Sequence, residues 1–321
     1  MRAGQITARG RIEVVDARPR RPAEGDVIVS LETACLCGSD IPYFSEAHER
    51  YPLPVGLSLH EIVGTIVESA SQTFRVGDRV LAMPIGLRGL YEHLTIGDDR
   101  LVSIEPGFDN DTAVLAQPMA TVLSALCTLP GLIGATVAVV GQGPIGLLFD
   151  LCLSRLGAAR IVGIDLREDR VARSCQFGAT DAICARRVDA VEAVRELTGG
   201  AMADLVVEAV GHEEQALNAC IDLCRDSATL LYFGVPPDRL NDVAWHTAFR
   251  KRLTIKLTTP SDLRPFVQLA WRSIRQHQID LSRLITHRYP FADIQRAFET
   301  YRDRRDGALK VMIDFDPGRS V

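Results

Sequence analysis

The sequence predicts an α/β protein of two parts, a β-rich region followed by a doubly wound parallel sheet. Between about Asp26 and Phe108, short runs rich in β-branched residues are separated by turn pairs such as Gly77-Asp78. From about Ala135, apolar strands such as TVAVVG and RIVGID are each followed by a helix-length segment, which is typical of βαβ units. The length of 321 residues fits two parts, because one compact core rarely holds so many.

Each part contains several predicted strands. The β-rich region contains DVIVSLETACL, EIVGTIVESA, RVLAMPI and YEHLTI, and the second part adds DLVVEAV and TLLYFGV. Further along, the pattern predicts a helix from Leu263 to Gln276, a second around Phe291 to Arg302, and a last strand, ALKVMIDF. Periodicity alone does not assign this tail to either part.

Composition and charge narrow the classes of protein. Hydrophobic residues make up 47% and charged residues 24%, with a formal net charge of −5, which excludes a disordered or fibrous chain. This mild acidity argues against nucleic acid or an anionic membrane as the main partner. No charged residue occurs from Thr112 to Phe149, but prolines and glycines divide this stretch into pieces too short to span a bilayer.

The N-terminus has no apolar core of signal-peptide type, so we expect a cytoplasmic, reducing environment. The eight cysteines form no short secreted framework and are expected to be free, buried or metal-bound. Cys220 and Cys224 are four apart on a predicted helix and could chelate a metal, although buried core thiols are favoured. For the other cysteines apart from Cys37, buried thiols are also the simplest interpretation: Cys35, Cys127, Cys152, Cys175 and Cys184.

A glycine-rich turn follows the strand TVAVV and opens a predicted helix. The turn Gly141-Gln142-Gly143-Pro144-Ile145-Gly146 matches the pattern G-x-G-x-x-G in the context that a dinucleotide site requires. The first glycine permits the tight turn, the second lets the backbone approach a pyrophosphate, and the third lets helix and strand pack closely. The helix N-terminus offers N–H groups and a positive dipole end to phosphates.

The next strand ends at Asp165, where an acidic side chain would accept hydrogen bonds from the adenosine ribose. Asp165 favours NAD over NADP, because a carboxylate repels the 2′-phosphate, whereas the nearby Arg167 could serve that phosphate. Arg170, one turn further on, is expected either against the adenine side or as a solvated surface charge.

Two short segments bring possible metal ligands together. Cys37-Gly38-Ser39-Asp40 is followed by His60-Glu61, which places a thiolate, an imidazole and a carboxylate close in sequence. This set suits zinc, and three protein ligands with one open position describe a catalytic site. Taken singly, a cysteine on a strand is usually a core residue, and a His-Glu pair usually lies on the surface.

Together these motifs resemble the zinc-containing medium-chain dehydrogenase/reductase superfamily, and most of all its sorbitol, threonine and glucose dehydrogenase branch. The resemblance covers nearly the whole chain: C-G-S-D at Cys37, H-E-x-x-G at His60, G-D-R-V at Gly77, the glycine turn, and G-A-L-K-V at Gly307. It implies a GroES-like β-barrel catalytic domain over residues 1–118 and 263–321. It also implies a Rossmann domain over residues 119–262, and a homodimer or homotetramer.

The resemblance implies a role for each residue of the site. Cys37 and His60 would bind the catalytic zinc, and Glu61 would be a direct or exchanging ligand. Ser39 would pass the substrate hydroxyl proton outward. Asp40 would hold the imidazole of His60, and a carboxylate in that role fixes the tautomer of a ligating histidine.

The sequence departs from the family pattern in three places. The glycine that usually precedes His-Glu is Leu59, and a further ligand, usually Glu or Cys, is replaced by Gln117. Gln117 is expected to bind zinc directly or through water, or else to hydrogen-bond in the pocket. The closely spaced cysteines of a structural zinc lobe are missing between Val80 and Tyr91, so we expect one zinc per chain and no structural zinc.

The resemblance also places Thr121 beside the nicotinamide, with Val210 and Val235 at strand ends that face the cofactor. The predicted activity is hydride transfer between NAD and a secondary alcohol or ketone, with zinc polarising the substrate oxygen. The substrate class would be a polyol, sugar, cyclitol or amino-alcohol. Two alternatives stay open: a zinc-free reductase of activated double bonds that uses NAD(P)H, and a non-catalytic dinucleotide-binding protein.

Overall fold

The computed structural model describes residues 1–211, 214–260 and 262–315. In chain order the strands are β1 (Arg2–Ala8), β2 (Arg11–Asp16), β3 (Asp26–Cys35), β4 (Glu61–Ser69), β5 (Arg79–Ala82), β6 (His93–Gly97), β7 (Leu101–Ser103), β8 (Thr136–Val140), β9 (Arg160–Asp165), β10 (Asp181–Cys184), β11 (Ala203–Glu208), β12 (Cys224–Tyr232), β13 (Thr254–Leu257), β14 (Ile285–Pro290) and β15 (Lys310–Asp314). The helices are α1 (Ile41–Ser45), α2 (Asn110–Leu126), α3 (Pro144–Arg155), α4 (Glu168–Ser174), α5 (Ala190–Leu197), α6 (Glu214–Leu223), α7 (Trp245–Arg250), α8 (Arg264–His277) and α9 (Ile294–Asp303).

The chain divides into two compact units, Met1–Ala120 with Asp262–Val321 and Thr121–Ser261. The first unit is therefore discontinuous in sequence, and the segment that begins at Asp262 belongs to it. Residues 316–321, which the predicted catalytic domain includes, lie outside the described residues. The assignment of the first unit to catalysis and of the second to dinucleotide binding stays a prediction.

The first unit is built around the long strand β3. One edge of β3 pairs antiparallel with β4, and on its other edge β6 pairs with the first half and β15 with the second half. The sheet continues through β5 and β7 at one end and β14 at the other, while β1 and β2 form a separate hairpin. Its buried core includes Leu31, Ile62 and Phe298, so burial of apolar side chains from strands and α9 stabilises the unit.

The second unit contains a parallel sheet with the strand order β10-β9-β8-β11-β12-β13. Its central strands are apolar on both faces, as strands covered by helices on both sides are. The order reverses at β8, because successive strands are added first on one side of it and then on the other. In such doubly wound sheets ligands bind outside the carboxyl ends of the strands at the point of reversal. The glycine turn follows β8 at that point.

Two expectations about the cysteines were wrong. Helix α6 ends at Leu223, so Cys224 begins strand β12, and both Cys220 and Cys224 lie in the buried core of the second unit. Cys127 and Cys175 are exposed rather than buried. Within the described part of the chain, no helix combines the length and apolar character needed to cross a membrane.

Candidate active site

Strand register brings the predicted metal ligands together. Cys35, near the end of β3, pairs with Glu61 on β4 and with Met312 on β15. The chain leaves β3 and reaches Cys37 two residues later, while His60 immediately precedes β4. The end of β3, the start of β4 and β15 therefore lie side by side, and their side chains are close together.

The side chains of Cys37, His60 and Glu61 form the one cluster of potential metal ligands found among the described residues. Their ligand atoms lie within 4.8 Å of one another. Burial would lower the pKa of His60, but a hydrogen bond with Cys37 and the charges of Cys37, Asp40 and Glu61 raise it to about 9. A metal that takes this imidazole as a ligand must therefore displace a proton.

A thiolate, an imidazole and a carboxylate at this spacing fit zinc, which accepts nitrogen, sulfur and oxygen donors. The Nδ1 atom of His60 is buried without a hydrogen-bond partner, so the imidazole is not fully satisfied by the protein. The Oγ atom of Ser39 is also buried and unpartnered. A proton-transfer role for this hydroxyl stays a prediction.

Lys310 is a site residue that sequence reasoning missed. Its Nζ atom donates to both carboxylate oxygens of Glu61, at 2.7 and 2.6 Å, and both side chains are buried. The lysine belongs to the G-A-L-K-V motif, and a lysine inside an apolar last strand was the signal that could have identified it. Glu61 thus has a cationic partner before any metal binds.

The predicted contact of Asp40 was wrong. Its Oδ1 atom accepts hydrogen bonds from the Ser58 hydroxyl (2.7 Å) and the Leu59 amide (2.8 Å), and its Oδ2 atom accepts from the Cys37 amide (2.8 Å). The carboxylate is therefore engaged by main-chain and hydroxyl donors, and it does not hold the Nδ1 atom of His60.

Gln117 lies in α2 and is buried, with 6% of its surface exposed, immediately before a proline inside the helix. Thr121 follows four residues later in the same helix. Zinc ligation by Gln117 and nicotinamide contact by Thr121 stay predictions.

In the second unit the glycine turn has the backbone that a dinucleotide site needs. Gly141 has a φ of 95°, and a side chain on Gly146 would collide with the Gly141 carbonyl oxygen. A Cβ atom on Gly143, which is followed by Pro144 and Ile145 at the start of α3, would lie 3.7 Å from the Arg170 guanidinium. A helix N-terminus next to a cation fits a pyrophosphate.

Asp165 ends β9 beside this turn. Its carboxylate accepts the amide of Gln142 (2.8 Å) and the amide of Arg167 (2.9 Å), and the Arg170 guanidinium lies 3.6 Å away. The Arg167 guanidinium donates to Asp169 instead, at 3.0 and 2.9 Å. Arg170 therefore lies closer to the turn and to Asp165 than a solvated surface charge would.

Glu208 is a second residue that sequence reasoning missed. It is fully buried at the end of β11, where its carboxylate accepts the amides of Val210 (2.8 Å), Gly211 (2.9 Å) and Gly234 (3.1 Å). These bonds tie together the loops that follow β11 and β12. An acidic residue in the apolar strand DLVVEAV was the available signal.

The valine side chains on these two loops are exposed to solvent. Val210 is 42% exposed and Val235 54% exposed, which is unusual for large apolar side chains at the ends of buried strands. Contact of these two valines with a cofactor stays a prediction.

Comparison with known proteins agrees with this geometry. Residues 23–122 match the family model of the alcohol dehydrogenase GroES-like domain, and residues 144–272 match that of zinc-binding dehydrogenase. Together the two matches cover more than two thirds of the chain. The chain belongs to the zinc-containing medium-chain dehydrogenase/reductase superfamily. It is therefore an oxidoreductase of the alcohol dehydrogenase type, in a family that generally uses zinc and NAD or NADP.

Individual members of this superfamily are similar over their full length. An alcohol dehydrogenase of Cupriavidus necator is 28% identical, over 98% of this chain and 98% of its own. A sorbitol dehydrogenase of Halalkalibacterium halodurans is 26% identical, over 95% and 96%. The crystal structure of galactitol-1-phosphate dehydrogenase from Escherichia coli has a TM-score of 0.86 at 21% identity, over 98% of this chain and 100% of that one. The last likeness shows the shared fold of a GroES-like unit and a Rossmann unit.

Proposed function

We propose that this chain is a zinc-dependent dehydrogenase that transfers hydride between NAD and the secondary alcohol or ketone of a polyol, sugar, cyclitol or amino-alcohol. The observation that carries the proposal is the clustering of the Cys37, His60 and Glu61 ligand atoms within 4.8 Å. A protein that only bound a dinucleotide would not need these three groups at metal-binding distance.

In this proposal Cys37 and His60 hold one zinc, with Glu61 and Gln117 as the further oxygen ligands. Zinc, when bound, supplies a Lewis acid that polarises the substrate oxygen. The Ser39 hydroxyl, which has no partner in the protein, accepts the substrate proton and passes it outward. Asp40 fixes the main chain on which Cys37 is carried.

The Rossmann unit is proposed to bind NAD. The glycine turn, from Gly141 to Gly146, and Arg170 bind the pyrophosphate, and Asp165 accepts from the adenosine ribose. Thr121, Val210 and Val235 orient the nicotinamide. NAD is preferred over NADP because Asp165 would repel a 2′-phosphate, and because the Arg167 guanidinium is already paired with Asp169.

The resemblance supports the substrate class. Two oxygen ligands, one imidazole and one thiolate make a harder site than one with two thiolates, and by resemblance to the family such a site leans to polyols, sugars, cyclitols or amino-alcohols over simple primary alcohols. The similarity to a sorbitol dehydrogenase supports the same class.

Assembly and compartment belong to the same proposal. Strand β13 is an edge of its sheet, its last residue Leu257 is 72% exposed, and Trp245 and Phe249 on α7 are 60% and 78% exposed. Such apolar surface supports a homodimer or homotetramer, which light scattering on the purified protein would detect.

A reducing, cytoplasmic compartment would keep the thiol of Cys37 available to a metal.

The proposal is tested by metal analysis together with turnover. Purified protein should contain about one equivalent of zinc per chain, and NADH should form with NAD and at least one member of a panel of polyols, cyclitols and amino-alcohols. Cys37→Ala should abolish both. Cys175→Ala, which removes an exposed thiol in the other unit, is the matched control and should change neither.

Other results identify the alternatives. Less than half an equivalent of zinc, with chelation leaving turnover intact, would identify a zinc-free reductase, and NAD(P)H consumption with activated double bonds would confirm it. Binding of NAD without turnover on any member of the panel would identify a non-catalytic protein.

A further inference from the structure

The two residues that precede His60 have backbone conformations that are rare for residues other than glycine. The φ angle is 113° at Ser58 and 66° at Leu59, and neither residue is glycine. A residue with a Cβ atom is strained at positive φ, because the Cβ atom comes too close to the carbonyl oxygen. The strain lies directly next to a candidate metal ligand.

The carboxylate of Asp40 compensates for this strain. One of its oxygens accepts both the Ser58 hydroxyl, at 2.7 Å, and the Leu59 amide, at 2.8 Å. All three residues have no exposed surface. Hydrogen bonds to a charged acceptor are stronger than those between neutral groups, and burial keeps water from replacing them.

The main chain of Leu87 to Gly89 packs closely against Ser58 and Leu59. The Ser58 amide donates to the Leu87 carbonyl (2.5 Å), and the Ser58 carbonyl accepts the Gly89 amide (2.9 Å). A Cβ atom on Gly89 would come within 2.7 Å of the Leu59 carbonyl oxygen. The Leu59 side chain is part of the hydrophobic core, which explains how a leucine is tolerated there.

The second oxygen of Asp40 accepts the amide of Cys37, at 2.8 Å. One carboxylate therefore fixes the main chain at Cys37 and at the residue that leads into His60. It does so without a hydrogen bond to the unpartnered Nδ1 atom of the imidazole.

We propose that Asp40 is a positioning residue of the metal site, and that it acts by holding the strained Ser58–Leu59 backbone so that His60 faces Cys37. The inference rests on the proposed zinc site. It predicts that Asp40 is needed because residue 59 has a side chain, and that a glycine at this position would make Asp40 less important.

The test compares two substitutions of Leu59, with and without Asp40. Leu59→Gly and Leu59→Ala both remove the buried side chain, but only glycine removes the strain at position 59, and Ser58 keeps its own strained backbone in both variants. We expect Asp40→Ala to weaken zinc binding about 10- to 100-fold. Without Asp40, the glycine variant should bind zinc about tenfold more tightly than the alanine variant. With Asp40 present, the two should bind zinc equally, because the backbone is already held.

Zinc affinity is measured by competition with a chromophoric chelator, and the geometry by the thiolate-to-metal charge-transfer band of the Co²⁺-substituted protein. The inference is overturned if the ratio of the zinc affinities of Leu59→Gly and Leu59→Ala is the same with and without Asp40. It is also overturned if Asp40→Ala binds zinc as tightly as the wild type. If Asp40→Ala does not fold, Asp40→Leu, which keeps a branched side chain but has no acceptor for the Ser58 hydroxyl and the Leu59 amide, allows the same comparison. A wild-type protein that binds no zinc refutes the proposed function itself, so the two failures are distinguishable.

Discussion

The Nζ atom of Lys310 lies 2.7 and 2.6 Å from the two carboxylate oxygens of Glu61, with 2% and 1% of the two side chains exposed. Burial alone would lower the pKa of Lys310, but the charge of Glu61 raises it well above its ordinary value. The lysine therefore stays charged, and Glu61 carries a fixed counter-ion at the edge of the candidate metal site.

Lys310→Met should destabilise the metal-free protein far more than the zinc-loaded protein. Removing one partner of a buried ion pair typically costs about 3–5 kcal/mol, because the other charge is left uncompensated. Zinc can replace the missing cation beside Glu61, so the rise in unfolding temperature on adding zinc should be larger in the variant than in the wild type. Thermal unfolding in chelator and in zinc measures both.

Two further variants check this explanation. Lys310→Arg keeps the charge and should behave like the wild type. The double variant Glu61→Gln, Lys310→Met removes both charges and should recover much of the stability in chelator. If zinc raises the unfolding temperature of Lys310→Met and of the wild type by the same amount, Lys310 does not affect the metal site.

The parts of the site that the sequence predicts are those whose residues are close in the chain. Gly141 to Gly146 and the set of Cys37, His60 and Glu61 follow local patterns, so their chemistry can be recognised without a structure. Strand alternation likewise predicted the two sheets. These features depend on short-range geometry, which the sequence encodes directly.

The parts that escaped prediction depend on long-range register or on backbone conformation. Lys310 and Glu61 are 249 positions apart, and the pairing of both β15 and β4 with β3 brings them together. The contact of Asp40 with the Leu59 amide depends on a left-handed backbone at a leucine, which no residue preference would indicate.

Asp165→Ser should shift the cofactor preference toward NADP. The carboxylate ends β9 beside the glycine turn, where its charge would face a 2′-phosphate. We expect the ratio of kcat/KM for NAD over NADP to fall about 100-fold, since loss of this repulsion and of the ribose hydrogen bonds act in the same direction. Initial rates with both cofactors measure it.

A second change should add to that effect. Asp169→Asn removes the partner of the Arg167 guanidinium, which is then free to serve a 2′-phosphate. The combined variant should use NADP better than Asp165→Ser alone. A preference that is unchanged in both variants would mean that the ribose lies elsewhere.

Glu208→Gln should weaken binding of the nicotinamide half of the cofactor and spare the adenosine half. Glutamine has one acceptor oxygen, so it cannot accept the Gly234 amide while also accepting the Val210 and Gly211 amides, and the loops after β11 and β12 lose a shared anchor. The Kd for NADH should rise about tenfold, as expected for one lost hydrogen bond to a charged group. The Kd for ADP should stay unchanged, because in the proposed site ADP binds only to the glycine turn, Arg170 and Asp165. Fluorescence titration measures the first and calorimetry the second.

Asp204→Asn is the matched control, because Asp204 lies near the other end of β11 and accepts the Thr136 amide and the Arg225 side chain. It should leave both affinities unchanged. If Glu208→Gln weakens NADH and ADP equally, the residue stabilises the whole unit and has no specific part in positioning the nicotinamide.

Asp150→Asn should remove a pH-dependent loss of stability. Asp150 lies in α3 with no exposed surface, and both of its carboxylate oxygens are buried without a hydrogen-bond partner. Burial raises the pKa of this carboxyl well above its ordinary value, and the nearby side-chain amide of Gln142, whose Nε2 atom donates to the Val139 carbonyl oxygen (3.1 Å), does not cancel the effect. The folded protein therefore keeps a proton that the unfolded chain releases from about pH 4 upward.

Because the folded state then binds more protons than the unfolded state, stability falls as pH rises toward the raised pKa, by about 1.4 kcal/mol per pH unit for one proton. Asparagine does not titrate, so the stability of Asp150→Asn relative to wild type should increase between pH 5 and pH 7. Unfolding midpoints of both proteins across this range measure the difference. For the substitution of an exposed residue in the same unit, Glu196→Gln, the difference in stability from wild type should not change with pH. If the difference for Asp150→Asn is also independent of pH, Asp150 is already ionised in the folded protein.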